Sequence, residues 1–259
     1  MGSSVDIMEQ SKERKYLINE LIKTGRHIRQ NEIPKDEMLR ALFNIREAGE
    51  VSEEFIKVQD DYLKKVIEDR GITRFSDLKP IRERIYLWQG DITSLEIDAI
   101  VNAANSGMTG CYVPNHNCID NQIHTYAGVQ LRNTCAKIMK KQGHPEPVGR
   151  AKITPGFNLP AKYVIHTVGP AVEGTLTDND KEMLASSYRS CLGLACEKGL
   201  KSIAFCAIST GVFGFSKAEA ARIAVATVTG FLKTHDDIEV VFNVYGDSSL
   251  RIYREILNG

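Results

Sequence analysis

Between Gly107 and His124 the chain reads Gly-Met-Thr-Gly-Cys-Tyr-Val-Pro-Asn-His-Asn-Cys-Ile-Asp-Asn-Gln-Ile-His, directly after a hydrophobic stretch. Cys111, His116 and Cys118 therefore lie close together. Thiolate and neutral imidazole are the ligands that Zn²⁺ prefers, and at this spacing they can converge on one tetrahedral ion. Three strong ligands leave a fourth position for water or substrate, as in catalytic zinc centres. Asp120 follows shortly after, close enough to act as acid or base beside the metal. The segment reads as an active-site loop. A disulfide between Cys111 and Cys118 is the competing reading of the two thiols.

Other residues suit a nucleotide. Gly211-Val-Phe-Gly214 follows a strand-like run and precedes a capped helix, so its backbone N–H groups can face a diphosphate. Many turns carry two glycines for conformational reasons alone, and neither the Lys-Ser/Thr of a P-loop nor a full dinucleotide fingerprint is present. Binding without phosphate-bond cleavage is the expectation. Asp91 can accept from an exocyclic amine or serve its own turn. Asn102 and Asn105, at a strand end, suit sugar hydroxyls or, again, a turn. His166, inside an apolar run, reads as a packed sheet histidine. His124, about one helical turn from Asp120, orients that carboxylate or simply packs. His27, His144 and His235 read as surface residues.

These groups need a scaffold. Across 259 residues, 42% are apolar and 25% charged, the proportions of a globular protein. Basic and acidic residues balance at 33 each, leaving no electrostatic footprint for nucleic acid or an anionic membrane. No apolar run is long enough to span a bilayer, no signal-peptide core is evident, and four further cysteines sit in apolar stretches. Reduced thiols and a cytoplasmic location are the expectation.

Residues 1–80 carry helical periodicity. Leu17, Leu21 and Ile22 mark one helix, Leu39, Leu42 and Phe43 another, and Phe55, Val58, Tyr62, Leu63, Val66 and Ile67 a third. Pro34, with Asp36 and Glu37, reads as the first turn of the middle helix. Lys79-Pro80 marks a boundary. Beyond it, residues 81–259 alternate strands (84–88, 97–104, 163–168, 202–208, 238–245) with helices (120–142, 180–198, 216–232, from 247). Ser216 and Glu219 form a capping-box pattern. Alternation of this kind predicts a mostly parallel sheet with helices on both faces, with the site at the carboxyl ends of its strands.

Gly90-Asp-Ile-Thr93, Val101-Asn-Ala-Ala-Asn105, Asp120 with Ile123-His124, Tyr163-Val-Ile-His-Thr-Val-Gly-Pro170 and Ser209-Thr-Gly-Val-Phe-Gly214 resemble, in order, the motifs of macrodomains. The family's Gly-Gly-Gly run is replaced by Cys-Tyr-Val-Pro-Asn-His-Asn-Cys. That departure, with the helical extension, is similar to the zinc-dependent macrodomains of bacteria and some fungi, encoded in pathogenic Gram-positive bacteria beside a sirtuin-type ADP-ribosyltransferase and a lipoylated carrier of the glycine-cleavage H type. The resemblance implies a three-layer α/β/α domain with a mixed, mostly parallel sheet. It implies that Asp91 and the Ile92 backbone hold adenine with Tyr245 stacked on it, and that Ser209, Thr210, Gly211, Val212, Phe213 and Gly214 wrap the diphosphate and distal ribose. Asn105 would contact the ribose hydroxyls, Cys111, His116 and Cys118 would hold Zn²⁺, and Asp120 would stand near the anomeric carbon. The implied activity is removal of mono-ADP-ribose from Asp or Glu side chains of proteins. A reader module with a structural zinc is the alternative, though structural zinc normally takes four protein ligands.

Overall fold

The computed structural model describes residues 4–24, 33–34, 37–172, 174–211 and 213–259. Three helices open the chain: α1 (Ser4–Thr24), α2 (Met38–Ile45) and α3 (Glu53–Arg70). The Ser52 hydroxyl caps α3 by accepting the Phe55 N–H, with Glu53 and Glu54 at the positive end of the helix dipole. Leu17 and Leu21, Leu39, Leu42 and Phe43, and Phe55 and Leu63 form one apolar cluster, completed by Val129 of the domain that follows. The periodic residues of the extension thus meet each other and the domain. Pro34 lies one turn ahead of the expected place: α2 starts at Met38, and Glu37 N–H bonds the Pro34 carbonyl at 3.0 Å. Asp36 and His27 fall outside the described residues.

The remaining elements are β1 (Thr73–Arg74), β2 (Pro80–Arg82), β3 (Ile85–Gln89), β4 (Leu95–Glu96), β5 (Ala99–Ala103), α4 (Ile119–Ala127), α5 (Val129–Gln142), β6 (Ala151–Pro155), β7 (Tyr163–Thr167), α6 (Asp178–Glu197), β8 (Ser202–Phe205), α7 (Lys217–Leu232), β9 (Glu239–Val244) and α8 (Asp247–Asn258). Seven strands form a sheet in the order β2-β3-β9-β8-β5-β7-β6. The inner five run parallel, while β2 and β6 pair antiparallel at the two edges. β2 begins at Pro80, and ahead of it β1 pairs with β4 while Phe75 and Leu78 pack against the core that holds Ile92 and Leu95.

Strand residues alternate between two cores, as a pleated strand requires. Val101, Ile165, Ile203, Val240 and Phe242 face α6, α7 and α8. Ile100, Val164, Ala204 and Val241 face Ile123 of α4 and Leu131 and Cys135 of α5. Three layers result, with the sheet covered on both faces. The run 120–142, expected as one helix, is two. Gly128 breaks it at φ +92°, and a Cβ there would stand 2.6 Å from Gln59 Nε2, so neither a side chain nor a continuous helix fits.

Candidate active site

After β5 the chain turns at Asn105, whose Oδ1 accepts the Gly107 N–H at 2.9 Å. Its amide Nδ2 donates to the Gly110 carbonyl at 3.1 Å and to Asp120 Oδ2 at 3.2 Å. One side chain thereby joins the strand end, the root of the cysteine loop and the carboxylate. Gly110 has φ +88°, and a Cβ on it would lie 2.7 Å from the His124 ring. Only glycine lets the loop cross that imidazole.

The loop brings the three expected metal ligands together. Cys111 Sγ and His116 Nδ1 are 3.6 Å apart, and the ligand atoms of Cys111, His116 and Cys118 all lie within 4.8 Å of one another. Bonds of about 2.3 Å to sulfur and about 2.0 Å to nitrogen around a tetrahedral ion place such atoms roughly 3.5–3.8 Å apart. The two cysteines are free thiols. Cys118 caps α4, its sulfur accepting the Asn121 N–H at 3.4 Å. Burial pushes its thiol up to about 12, with Cys111 and Asp120 adding to the rise. A divalent cation reverses that bias by holding the thiolate. Two soft sulfurs, one imidazole and a spacing near the tetrahedral chord fit zinc.

Asp120 lies in the first turn of α4 and is buried. Its Oδ1 accepts Asn102 Nδ2 at 2.8 Å. Burial raises its pKa to about 6, against the pull of the Asn102 amide, the Arg132 charge and the Asn105 amide. Asn102 is itself fully buried and also meets His166 Nδ1 at 3.2 Å. It cannot reach a sugar, and the sequence expectation for it is corrected: it steadies Asp120 instead. His166 is the packed sheet histidine expected, with Nε2 2.9 Å from Thr154 Oγ1. His124 Nε2 stands 3.6 Å from Asp120 Oδ1, beyond hydrogen-bond reach, so it packs rather than orients. Burial, then His166 and Arg132, hold its pKa well below the usual imidazole range.

The nucleotide motifs gather at the carboxyl ends of neighbouring strands. After β3, Asp91 Oδ1 accepts the Thr93 N–H at 2.9 Å and the Thr93 hydroxyl at 2.6 Å, closing its own turn. Its Oδ2 pairs with Arg70 of α3, whose guanidinium lies 4.1 Å from the centre of the Tyr126 ring. The Ile92 side chain is buried, leaving only its backbone for a ligand. Tyr245, directly after β9, is 88% exposed, an open aromatic face beside the Asp91 turn. Past β8, Ser209 adopts φ +63°, and its buried Oγ has no partner among the described residues. It rests on Gly169, where a Cβ would fall 2.2 Å from Ser209 Oγ. Phe215 N–H to the Ser209 carbonyl (3.0 Å) and Gly214 N–H to the Gly211 carbonyl (3.2 Å) close the loop, and the Phe213 carbonyl accepts the Val172 N–H at 2.8 Å. The Thr210 hydroxyl faces the Ala207 carbonyl at 3.4 Å. Val212 lies outside the described residues. A strained serine with an orphaned hydroxyl is the kind of outlier that clusters at ligand sites.

Residues 101–224 match the Macro domain family. The chain is 52% identical over 261 residues to a protein-ADP-ribose hydrolase of Treponema medium, covering 97% of this chain and 100% of that one. It is 53% identical over 225 residues to a protein-ADP-ribose hydrolase of Staphylococcus aureus (strain MRSA252), covering 86% and 84% respectively. The chain belongs to the macrodomain family. A Trypanosoma brucei macrodomain in complex with ADP-ribose shares the fold at TM-score 0.65 and 31% identity, over 83% of this chain and 94% of that one.

In this macrodomain the fold brings Asn105, the cysteine loop and Asp120 to one end of β5, and Asp91 and Tyr245 to the adjoining ends of β3 and β9. Sequence reasoning missed the residues that hold them. Arg132 of α5 donates from Nε to the Thr109 carbonyl at 2.7 Å and from Nη1 to the Phe43 and Asn44 carbonyls at 3.0 and 2.8 Å, and its guanidinium faces Tyr112 at 4.3 Å. Its sequence setting, Gln130-Leu-Arg-Asn-Thr134, carries no signal of that role. A second trio, His124, Cys135 and His166, also converges. It is sealed in the core, and both His166 nitrogens already face Asn102 and Thr154.

Proposed function

We propose that this macrodomain is a hydrolase that removes mono-ADP-ribose from proteins, acting on esters with Asp or Glu side chains and using zinc held by Cys111, His116 and Cys118. The observation that carries the proposal is the Asn105 amide, which bonds the Gly110 carbonyl beside the three ligands and the Asp120 carboxylate at once. Relatives at 52% and 53% identity that are protein-ADP-ribose hydrolases support the activity class.

In this reading Asp91 accepts from the adenine amine, the Ile92 backbone lies beside it and Tyr245 stacks on the base. Residues 209–214 enclose the diphosphate and distal ribose, and Asn105 meets the ribose hydroxyls. When bound, zinc supplies a Lewis acid and template for a ribose hydroxyl or water. Asp120 takes a proton from the attacking water, a role worth on the order of 10²–10⁴ in rate. Asn102 and Asn105 each donate once to its carboxylate and leave a lone pair on each oxygen for that purpose. A lipoylated carrier of the glycine-cleavage H type is the proposed substrate protein, and a sirtuin-type ADP-ribosyltransferase the enzyme that modifies it.

The test is release of ADP-ribose from a carboxylate-modified protein, with and without a chelator. Release is expected to vanish with chelation and in Cys118→Ala. Undiminished release by metal-free protein excludes a catalytic zinc. Tight ADP-ribose binding without any release by zinc-loaded protein makes the chain a reader instead.

A further inference from the structure

The turn that presents His116 is closed by its own N–H on the Val113 carbonyl at 3.3 Å, with Asn115 at φ +54°. Two side chains of α2 reach the backbone on either side of this histidine from far earlier in the chain. Asn44 Oδ1 accepts the Asn115 N–H at 2.8 Å, and Arg40 Nη2 donates to the His116 carbonyl at 2.8 Å. Both are themselves fixed. Asn44 is 1% exposed, and its Nδ2 donates to Thr125 Oγ1 at 2.9 Å. Arg40 Nη2 also reaches Asn121 Oδ1 at 3.0 Å. Asn121 in turn holds the Val113 carbonyl through Nδ2 at 3.0 Å and Cys118 Sγ through its backbone N–H at 3.4 Å.

We propose that α2 is a structural part of the metal site, with Arg40 and Asn44 as positioning residues that hold His116 toward Cys111 and Cys118. The inference rests on the zinc reading above. Each ligand of the trio has a named anchor. Asn105 holds the Gly110 carbonyl before Cys111, the start of α4 fixes Cys118, and Asn44 and Arg40 of the extension grip the Asn115 N–H and the His116 carbonyl. An imidazole held in place beforehand loses less conformational freedom when an ion binds. Supporting contacts of this kind typically change metal affinity roughly 10–100-fold.

The experiment measures zinc affinity of the full chain by competition with a chromophoric chelator, ADP-ribose affinity by calorimetry, and thermal unfolding of metal-free protein. Arg40→Met is expected to weaken zinc about 10-fold or more while leaving ADP-ribose affinity and metal-free unfolding near wild type. Arg40→Lys is expected to recover most of the loss, because an ammonium still donates to the His116 carbonyl. Asn44→Ser is expected to weaken zinc likewise; should it fail to fold, the half-buried Arg40 decides alone. Wild-type zinc affinity in Arg40→Met overturns the proposal, as does a parallel loss of zinc, ADP-ribose and stability. A wild-type chain that takes up no zinc removes the zinc reading, and this inference with it.

Discussion

Asn102 and Asn105 approach one carboxylate from its two oxygens, so Asp120 is held by amides that carry no charge. Asn102→Ala leaves Asp120 with one donor fewer and His166 Nδ1 without its neighbour in a dry core. The expected cost is about 1–3 kcal/mol of unfolding free energy by denaturant titration; an unshifted midpoint would show that the network contributes nothing. Asp91 serves both a turn and, in the proposed function, a ligand. Its pair with Arg70 is about one-third exposed on each side, 34% and 35%, so solvent screening leaves it little weight in stability. Asp91→Ala is expected to weaken ADP-ribose binding in calorimetry and to cost about 1 kcal/mol through the lost Thr93 contacts. Unchanged affinity assigns the residue to its turn alone. At this scale the grouping was readable where residue type carries it: Cys111, His116 and Cys118 converge, and Asp120 stands beside Asn105. Arg40, Asn44 and Arg132 left no pattern, because they grip backbone carbonyls and N–H groups contributed by distant segments.

Helix and strand ends show which local signals carry physical force. Ser216 accepts the Glu219 N–H at 3.2 Å, but the Glu219 carboxylate turns to Arg222 at 3.2 Å instead of closing the box. The full reciprocal box belongs to α6, where Thr177 and Asp180 satisfy one another and start the helix at Asp178, two residues before the expected place. Ser216→Ala is therefore expected to cost about 1 kcal/mol, measured by thermal unfolding; a shift within error would mean that the loop, not the cap, fixes the start of α7. Strands β5, β7, β8 and β9 were legible because burial on both faces makes them near-continuous apolar runs. The edges β2 and β6 were not. β6 contains Lys152 and ends at Pro155, a composition tolerated where one side of the ladder needs no partner.

The whole molecule answers to pH through its interior. Burial drives His166 down to about 3, and burial, His166 and Arg132 drive His124 down as well, while burial lifts Asp120 to about 6. Below pH of about 6.5 the unfolded chain gains two protons at these histidines that the folded chain refuses, so acid destabilises. Asp120 acts oppositely, taking a proton in the folded state between about 6 and its ordinary 3.8. One proton of imbalance remains, so metal-free protein is expected to lose roughly 1.4 kcal/mol per pH unit from about pH 6 to 4. A urea midpoint that stays constant over that range would contradict the assigned burial of both rings.

The order of sheet assembly has a further consequence during synthesis. Strand β3 lies against β9, far later in the sequence, with Gln89 opposite Val244, and among the described residues β9 bridges β3 to β8. A polypeptide still emerging from the ribosome has no such bridge until β9, which follows both strands in the chain, is free. Asp91, after β3, and the Ser209 loop, after β8, therefore take their places on either side of β9 only once β9 has paired with both strands. The crevice is born late, and until β9 arrives the apolar faces of β3 and β8 depend on whatever shelters a nascent chain.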